Sequence, residues 1–343
     1  MDRRDFLRTT GGFAAAAGYA AIPAAAQPAS AAGAPLKSRV FACPWSASPA
    51  GYADDAHRLA RRLGTLLAPD GLDVHFAASR QADFVFSPVQ SDVALHPAFA
   101  FFGGLPGHDA LAPRELQSWL LTGGGQELWD DLGARHGFKP LLAGHTGSDV
   151  VLWSRVRLEK PEDLAGLRVV ARGLDAELVR ALGAVPITGD DAQLEGSLIA
   201  AGTDAIIWGS LVHASAAGVP SQFPFALTGA LGSAGSALAL RIDRAAWEEL
   251  TPAQQSAIAA AAASEFQASL ADAEATRNAV ESALTLRFDI TIVRPAREFA
   301  EAVSRIATAV IAHAAAHDSL ALQINQSYAA YRRAVAPTPF TIA

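Results

Sequence analysis

The sequence predicts an α/β protein built from two lobes, and three observations point to it. Short strands alternate with helices of about ten residues between residues 161 and 208, which is typical of β-α-β units in a mainly parallel sheet. The chain has 343 residues, enough for two domains or one domain of two lobes. A helical run from Pro252 to Leu286 would be about 50 Å long at 1.5 Å per residue, which exceeds the width of one lobe.

Composition excludes several classes of function. Hydrophobic residues make up 51% of the chain, so it has ample material for a folded core. A net charge of −7 provides no broad basic surface for nucleic acid. The single cysteine, Cys43, excludes an internal disulfide framework and any multi-cysteine metal site.

The first 26 residues resemble a twin-arginine export signal. Arg3 and Arg4 precede Phe6-Leu7, a weakly hydrophobic stretch follows, and small residues at 24–26 suit signal cleavage. The alternative is an ordinary amphipathic helix. We therefore expect residues 1–26 to be removed, residues 27–36 to form a flexible lead-in, and the mature protein to be periplasmic.

The elements of the first half follow from local periodicity. Residues 54–68 have apolar side chains at helical spacing, and residues 72–76 alternate as a strand does. The passage 84–106 is predicted to be irregular apart from a short strand. Further strands are expected at 39–42, 84–86, 139–143 and 150–154, with a turn at 144–147, and further helices at 114–121 and 126–136.

The second half contains the clearest pattern. Asp175 is predicted to cap a helix that ends at Gly183. Residues 209–235 show no period and are predicted to be irregular. Strands are expected at 167–171, 184–187, 203–208, 236–242 and 290–293, and helices at 161–164 (or a turn), 175–182, 190–201, 252–286 and, as one or two helices, 298–335.

Few residues indicate chemistry on their own. Trp208 ends a strand where ligands bind in open α/β sheets, so it is either a lid on the core or a stacking wall for a ligand. His313 and His317 share one helix face and could bind a metal, but no glutamate follows the first histidine. The sequence therefore favours an exposed Ala-rich helix over a metal site. No serine lies in a nucleophile elbow. The sequence predicts no catalytic residues, no cofactor and no metal.

Two stretches together indicate a family. The first is WLLTGGGQELW (119–129), continued by LAGHTG (142–147) and Trp153. The second is LEKPEDLAGLR (158–168), followed by LGAVP (182–186) and GTDAIIW (202–208). In this order they resemble the signature of DctP-type solute-binding proteins of TRAP (tripartite ATP-independent periplasmic) transporters, in the keto-acid-binding branch.

The resemblance implies a periplasmic-binding-protein architecture, with mixed sheets in two lobes and one long helix spanning both. Its function would be to close on a small organic solute and deliver it to TRAP permease subunits in the inner membrane. The expected division is lobe I at 37–157, lobe II at 158–250, the spanning helix at 251–287 and a C-terminal strand and helices at 288–343.

The departures from the family pattern bear on the ligand. The family arginine that clamps a carboxylate aligns with Val170, although Arg172 lies two residues on and is a candidate substitute. The family glutamate before the cleft tryptophan is Ile207. Without that clamp, the sequence favours a neutral polar or cationic solute.

The predicted ligand-binding residues are therefore His145, Asp149, Arg172 and the retained Trp208. The segment between Phe76 and Phe99 is shorter than the resemblance implies, so lobe I is expected to be shortened. Two alternatives stay open: a degenerate member that binds a protein partner, and a periplasmic enzyme that depends on His313 and His317.

Overall fold

The computed structural model describes residues 37–44, 52–77, 81–107, 110–147, 151–189, 202–229, 231 and 234–335. The strands are β1 (Lys37–Ala42), β2 (Leu72–Phe76), β3 (Phe84–Pro88), β4 (Phe138–His145), β5 (Val151–Ser154), β6 (Arg168–Val170), β7 (Val185–Ile187), β8 (Ala205–Ile207), β9 (Phe225–Thr228), β10 (Ala237–Asp243) and β11 (Thr291–Val293). The helices are α1 (Tyr52–Leu67), α2 (Ala100–Gly103), α3 (Pro113–Thr122), α4 (Gly125–Arg135), α5 (Gly173–Ala181), α6 (Leu211–Ala216), α7 (Arg244–Glu248), α8 (Pro252–Arg287), α9 (Arg297–Ala315) and α10 (Ser319–Val335).

The first lobe is organised around a five-stranded sheet in the order β2-β1-β3-β10-β4. Strand β1 pairs in parallel with β2 and β3, whereas β10 runs antiparallel between β3 and β4. Helix α1 covers one face, because its buried residues Leu59 and Leu63 lie on the side that packs with Phe41 and Phe84.

The second lobe is organised around a six-stranded sheet in the order β11-β9-β5-β8-β6-β7. The β6, β7 and β8 strands are parallel, and β5 runs antiparallel to both β8 and β9. Both sheets are mixed, and the two-lobed α/β prediction is confirmed.

Two strands belong to the opposite lobe from the one that the expected boundaries assign to them. Strand β5, before residue 158, pairs in the second sheet, and β10, before residue 250, pairs in the first. The chain therefore crosses between the lobes between β4 and β5, between β9 and β10, and again through α8.

Helix α8 joins the cores of the two lobes. Ile258 and Ala262, near its start, pack in the core beneath the first sheet, and Leu284, near its end, packs in the core of the second lobe. Thr251 caps its first turn, with its Oγ1 accepting from the Gln254 backbone N–H. A helix that lies across both lobes was predicted from its length, and its contacts agree with that.

Three local predictions were wrong. The turn expected at 144–147 is a crossover, since β4 continues to His145 and β5 belongs to the other sheet. Asp175 is not a cap: its backbone N–H already donates to the Arg172 carbonyl, so Asp175 lies within the first turn of α5. The passage 209–235 contains α6 and β9, which are too short to show a period.

Candidate functional site

A small cavity of about 30 Å³ lies where the lobes meet. It is lined by residues from both sides of the interface, at or beyond strand ends, as expected for a ligand site in an α/β sheet. The lining residues are Pro88, Gln90 and Ser236 from the first lobe and Arg172, Asp175, Ile207 and Gly209 from the second.

Arg172 lies in the cavity wall and stacks on Trp208, which is buried behind it and is not a lining residue. Strands β6 and β8 are parallel neighbours, with Val170 opposite Ile206, so the residues that follow them emerge side by side. The Arg172 guanidinium carbon lies 4.6 Å from the Trp208 ring centre. This contact is a cation–π interaction that orients the guanidinium. Nε1 of the buried Trp208 has no hydrogen-bond partner among the described residues.

The two family positions that differ have different surroundings. Val170 has no exposed surface and packs with Trp153 and Ile206, so it cannot contact a solute. Ile207 lines the cavity and gives it an apolar side. Of the two positions considered for the anion clamp, 170 and 172, only position 172 carries a cation, and Arg172 lines the cavity.

Gln90 is held rigidly on the first-lobe side. Its Nε2 donates to the Gly103 carbonyl at 2.7 Å and to Ser236 Oγ at 3.0 Å. Its Oε1 is buried and accepts no hydrogen bond within the described part of the chain. Sequence reasoning missed Gln90 and Ser236, because they are 146 residues apart and no local pattern links them.

Asp175 was predicted in another role and lies in the cavity wall. Burial raises the pKa of its carboxyl to about 7. Desolvation is the whole cause, so no neighbouring cation offsets it. The carboxyl group therefore titrates near neutral pH at the point where the lobes meet.

His145 lies beside the cavity lining rather than in it. Its Nδ1 accepts from the Gly147 N–H at 3.2 Å, and its own backbone N–H donates to Ser269 Oγ on α8 at 2.9 Å. Burial lowers the pKa of His145 to about 3, so the imidazole is neutral and carries its proton on Nε2. Asp149, the fourth predicted residue, lies outside the described residues.

The described residues offer no group of three or more side chains suited to a metal ion. His313 and His317 are both exposed, and the ring of His317 instead packs edge-on against His96 with centroids 4.6 Å apart. Nothing in the described structure supports a role for the two histidines in catalysis.

A larger groove of about 420 Å³ lies on the first lobe. Residues of α3, β4 and the start of α8 line it, among them Leu121, Leu142 and Trp247. All of them belong to one side of the molecule, so closure of the lobes cannot enclose a solute there. None of the described helices has the length and apolar character to cross a bilayer.

Solved structures share this architecture. A TRAP solute-binding protein from Pseudoalteromonas atlantica T6c is 19% identical, with 88% of this chain and 95% of that one covered and a TM-score of 0.78. One from Bordetella bronchiseptica RB50 is 19% identical, with 88% and 93% covered and a TM-score of 0.79. The ectoine-binding protein of Halomonas elongata is 15% identical, with 87% and 100% covered and a TM-score of 0.70.

The two lobes, the cavity between them and these similarities define a two-lobed fold like that of the solved TRAP solute-binding proteins. The family of bacterial extracellular solute-binding proteins, family 7 (DctP), matches residues 112–318, more than half of the chain. The chain belongs to this family, whose members serve transport and not catalysis. The prediction of the DctP family made from the sequence is confirmed, and the keto-acid-binding branch stays a prediction.

Proposed function

We propose that this protein binds a small carboxylate solute in the cavity between its lobes and delivers it to the membrane subunits of a TRAP transporter. The observation that carries the ligand class is the position of Arg172, stacked on Trp208 beyond two neighbouring strands. A guanidinium held in this way presents a planar fork of N–H donors, which matches the two oxygens of a carboxylate.

This ligand class differs from the neutral or cationic solute that the sequence alone favours. That expectation depended on Val170 at the position of the family clamp. Val170 is buried and Arg172 lies in the cavity wall, which supports the proposal that Arg172 substitutes for the family arginine. The apolar Ile207 beside it excludes water and strengthens the attraction between the guanidinium and an anion.

The size of the cavity restricts the solute. A buried water needs roughly 10–15 Å³ on this measure, so 30 Å³ provides space for two or three water molecules. We therefore favour a short acid. The similar protein from Pseudoalteromonas atlantica was solved with pyruvate and sodium, and the one from Bordetella bronchiseptica with picolinate and calcium. Both ligands are small carboxylates, which supports the same class here and keeps the keto-acid branch as a proposal.

Closure of the lobes is the proposed mechanism. Gln90 and Ser236 lie on one lobe, and Arg172 and Asp175 lie on the other. A solute that contacts both lobes therefore favours the closed state. We further propose that the protein acts in the periplasm after export by the twin-arginine route.

The test is binding of short carboxylates to the mature protein, measured by thermal shift and calorimetry. A solute at 100 times its Kd adds about 2.7 kcal/mol of stability. The variant Arg172→Gln should lose this shift. Arg180→Gln, on the exposed side of α5, is the matched control and should keep it. Binding of amines or neutral solutes alone, or no binding by the folded protein, would refute the carboxylate assignment; the second result would favour the partner-binding alternative.

A further inference from the structure

The cavity contains acceptor groups that a simple carboxylate does not satisfy. Arg172 supplies donors, but Gln90 Oε1 is a buried acceptor that receives no hydrogen bond from a described residue. The Asp175 carboxyl lies in the same cavity wall, and its pKa is shifted by burial alone, with no contribution from a hydrogen bond. A carboxylate also offers only acceptors. A solute bound by Arg172 alone would therefore leave two acceptors of the closed site without a donor.

The orientation of Gln90 is fixed. Rotating its amide by 180° would place Oε1 against the Gly103 carbonyl, which is itself an acceptor, and would lose the 2.7 Å bond from Nε2. Oε1 is therefore directed away from Gly103 and Ser236. A buried acceptor without a donor costs about 1–3 kcal/mol, and a donor on the solute would recover that cost.

The elements that carry Asp175 and Gln90 are in contact. A Cβ at Gly173, in the first turn of α5, would lie 3.4 Å from the Gln90 carbonyl and 3.2 Å from a methyl of Val93. The segment Val89–Ala94 of the first lobe thus packs against the helix turn that carries Asp175. Lobe closure brings the two acceptors to the same small cavity.

No cation among the described residues forms an ion pair with Asp175, whose pKa is shifted by burial alone. Arg172, the cation in the cavity wall, stacks on Trp208. Arg241, on β10, is held by Asp92 at 2.6 Å. Burial raises the pKa of Asp175, so its ionised form is costly without a ligand. Such a cost is typical of a group kept for binding.

We propose that Asp175 and Gln90 Oε1 form an acceptor pair that selects carboxylate solutes with a hydrogen-bond donor, a hydroxyl or an ammonium group, on the carbon next to the carboxylate. This proposal rests on the proposed function and names its substrate class: short 2-hydroxy or 2-amino acids. The short reach follows from the cavity volume of about 30 Å³. Above the pKa of Asp175, about 7, the carboxylate only accepts hydrogen bonds, so acids with a 2-oxo group, which offer a further acceptor, should bind less tightly at pH 8 and above.

The experiment compares acids that differ only at the second carbon. Propionate, pyruvate, lactate and alanine, with their four-carbon counterparts, are titrated into the mature protein by calorimetry. We expect lactate or alanine to bind at least about tenfold more tightly than pyruvate and propionate. The stronger of the two shows whether hydroxyl or ammonium is the donor.

Three variants separate this proposal from the proposed function. Asp175→Asn and Gln90→Leu should remove the preference for lactate or alanine over pyruvate and propionate, whatever effect they have on the affinity for all four acids together. Glu177→Gln, two residues from Asp175 and exposed, is the matched control and should keep the preference. Arg172→Gln should remove binding of all four acids.

Two results would overturn the proposal. If wild-type protein binds all four acids equally, or if the preference survives in both Asp175→Asn and Gln90→Leu, the acceptor pair does not select the solute, while the carboxylate function stands. If the folded protein binds none of the acids, the carboxylate function itself fails, and the selection with it.

Discussion

Thr146 and Ser236 join two of the chain segments that cross between the lobes, the one between β4 and β5 and the one between β9 and β10. The Thr146 N–H donates to the Ser236 carbonyl at 3.0 Å, and the Ser236 N–H donates to Thr146 Oγ1 at 2.9 Å. The Ser236 side chain also accepts from Gln90 in the cavity wall. The crossover is thus tied directly to the ligand site, and changes in one should be measurable in the other.

Replacing Gly235 by Ala should disrupt this crossover. Gly235 has φ +85°, and a Cβ there would lie 1.8 Å from the Gly147 carbonyl oxygen, so the two segments would have to separate. We expect a loss of roughly 3 kcal/mol or more in the free energy of unfolding, measured by urea denaturation.

Gly229→Ala is the matched control. Gly229 also has positive φ, at +70°, but no atom lies within 4 Å of its ideal Cβ position. Only the conformational cost of about 1–2 kcal/mol applies there. Equal destabilisation of the two variants would show that the close approach at Gly235 does not matter.

The Asp175→Asn variant should remove the part of the pH dependence of the free energy of unfolding that comes from the Asp175 carboxyl, between about pH 4 and pH 7. The carboxyl pKa is about 7 in the folded protein and near 3.8 in the unfolded chain. Between these values the folded state keeps a proton that the unfolded state has lost, so the stability of the wild type falls as pH rises from about 4 to about 7. Asn does not titrate.

Ligand-free Asp175→Asn should therefore gain stability over the wild type progressively between pH 4 and 7, with a constant difference above pH 7. Chemical denaturation at a series of pH values measures this gain. A constant difference across the whole range would show that the carboxyl does not titrate as described.

Replacing Arg58 by Met should destabilise the packing of α1 on α8. Arg58 Nε donates to Glu265 Oε1 at 2.7 Å, and Glu265 is fully buried. Removing the guanidinium leaves a buried carboxylate without its main partner, which costs about 3–5 kcal/mol. Arg58→Met combined with Glu265→Met should recover only part of the loss, because the buried Asp55 still lacks its 2.7 Å bond from Arg58. Arg61→Met, at an exposed position of α1, should have little effect. A double variant as unstable as the single one would contradict this account.

Export should depend on the arginine pair. Replacing Arg3 and Arg4 by Lys is expected to retain the full-length chain in the cytoplasm, because the pair defines a twin-arginine signal. Fractionation followed by immunoblotting measures the distribution. Unchanged periplasmic accumulation would assign export to another route.

Local patterns predicted most elements of this fold, while long-range relations were beyond them. The strands that lead to Arg172 and Trp208 follow from β-α-β periodicity, and their adjacency follows from the parallel pairing. The partners Thr146 and Ser236 are 90 residues apart, and nothing near either one signals the other. Strands β4 and β5 are both short apolar segments, and their local sequences do not show that they belong to different sheets.

Asp175 illustrates a different limit. A carboxylate at the start of a helix predicts a cap because capping is the usual local role. Its position in the cavity depends on the segment 89–94, which reaches it from the other lobe. A local pattern cannot distinguish a residue that stabilises its own helix from one that lines a cavity between the lobes.

The central position of β10 in the first sheet has a consequence for biosynthesis. Strands β3 and β4 are bridged by β10, which the ribosome adds only after β5 to β9 of the other lobe. The first sheet can therefore be completed only after Asp243 has been synthesised, and the second sheet only after β11, which ends at Val293. Folding must finish after most of the polypeptide has been synthesised, and truncated products should be targets for proteolysis.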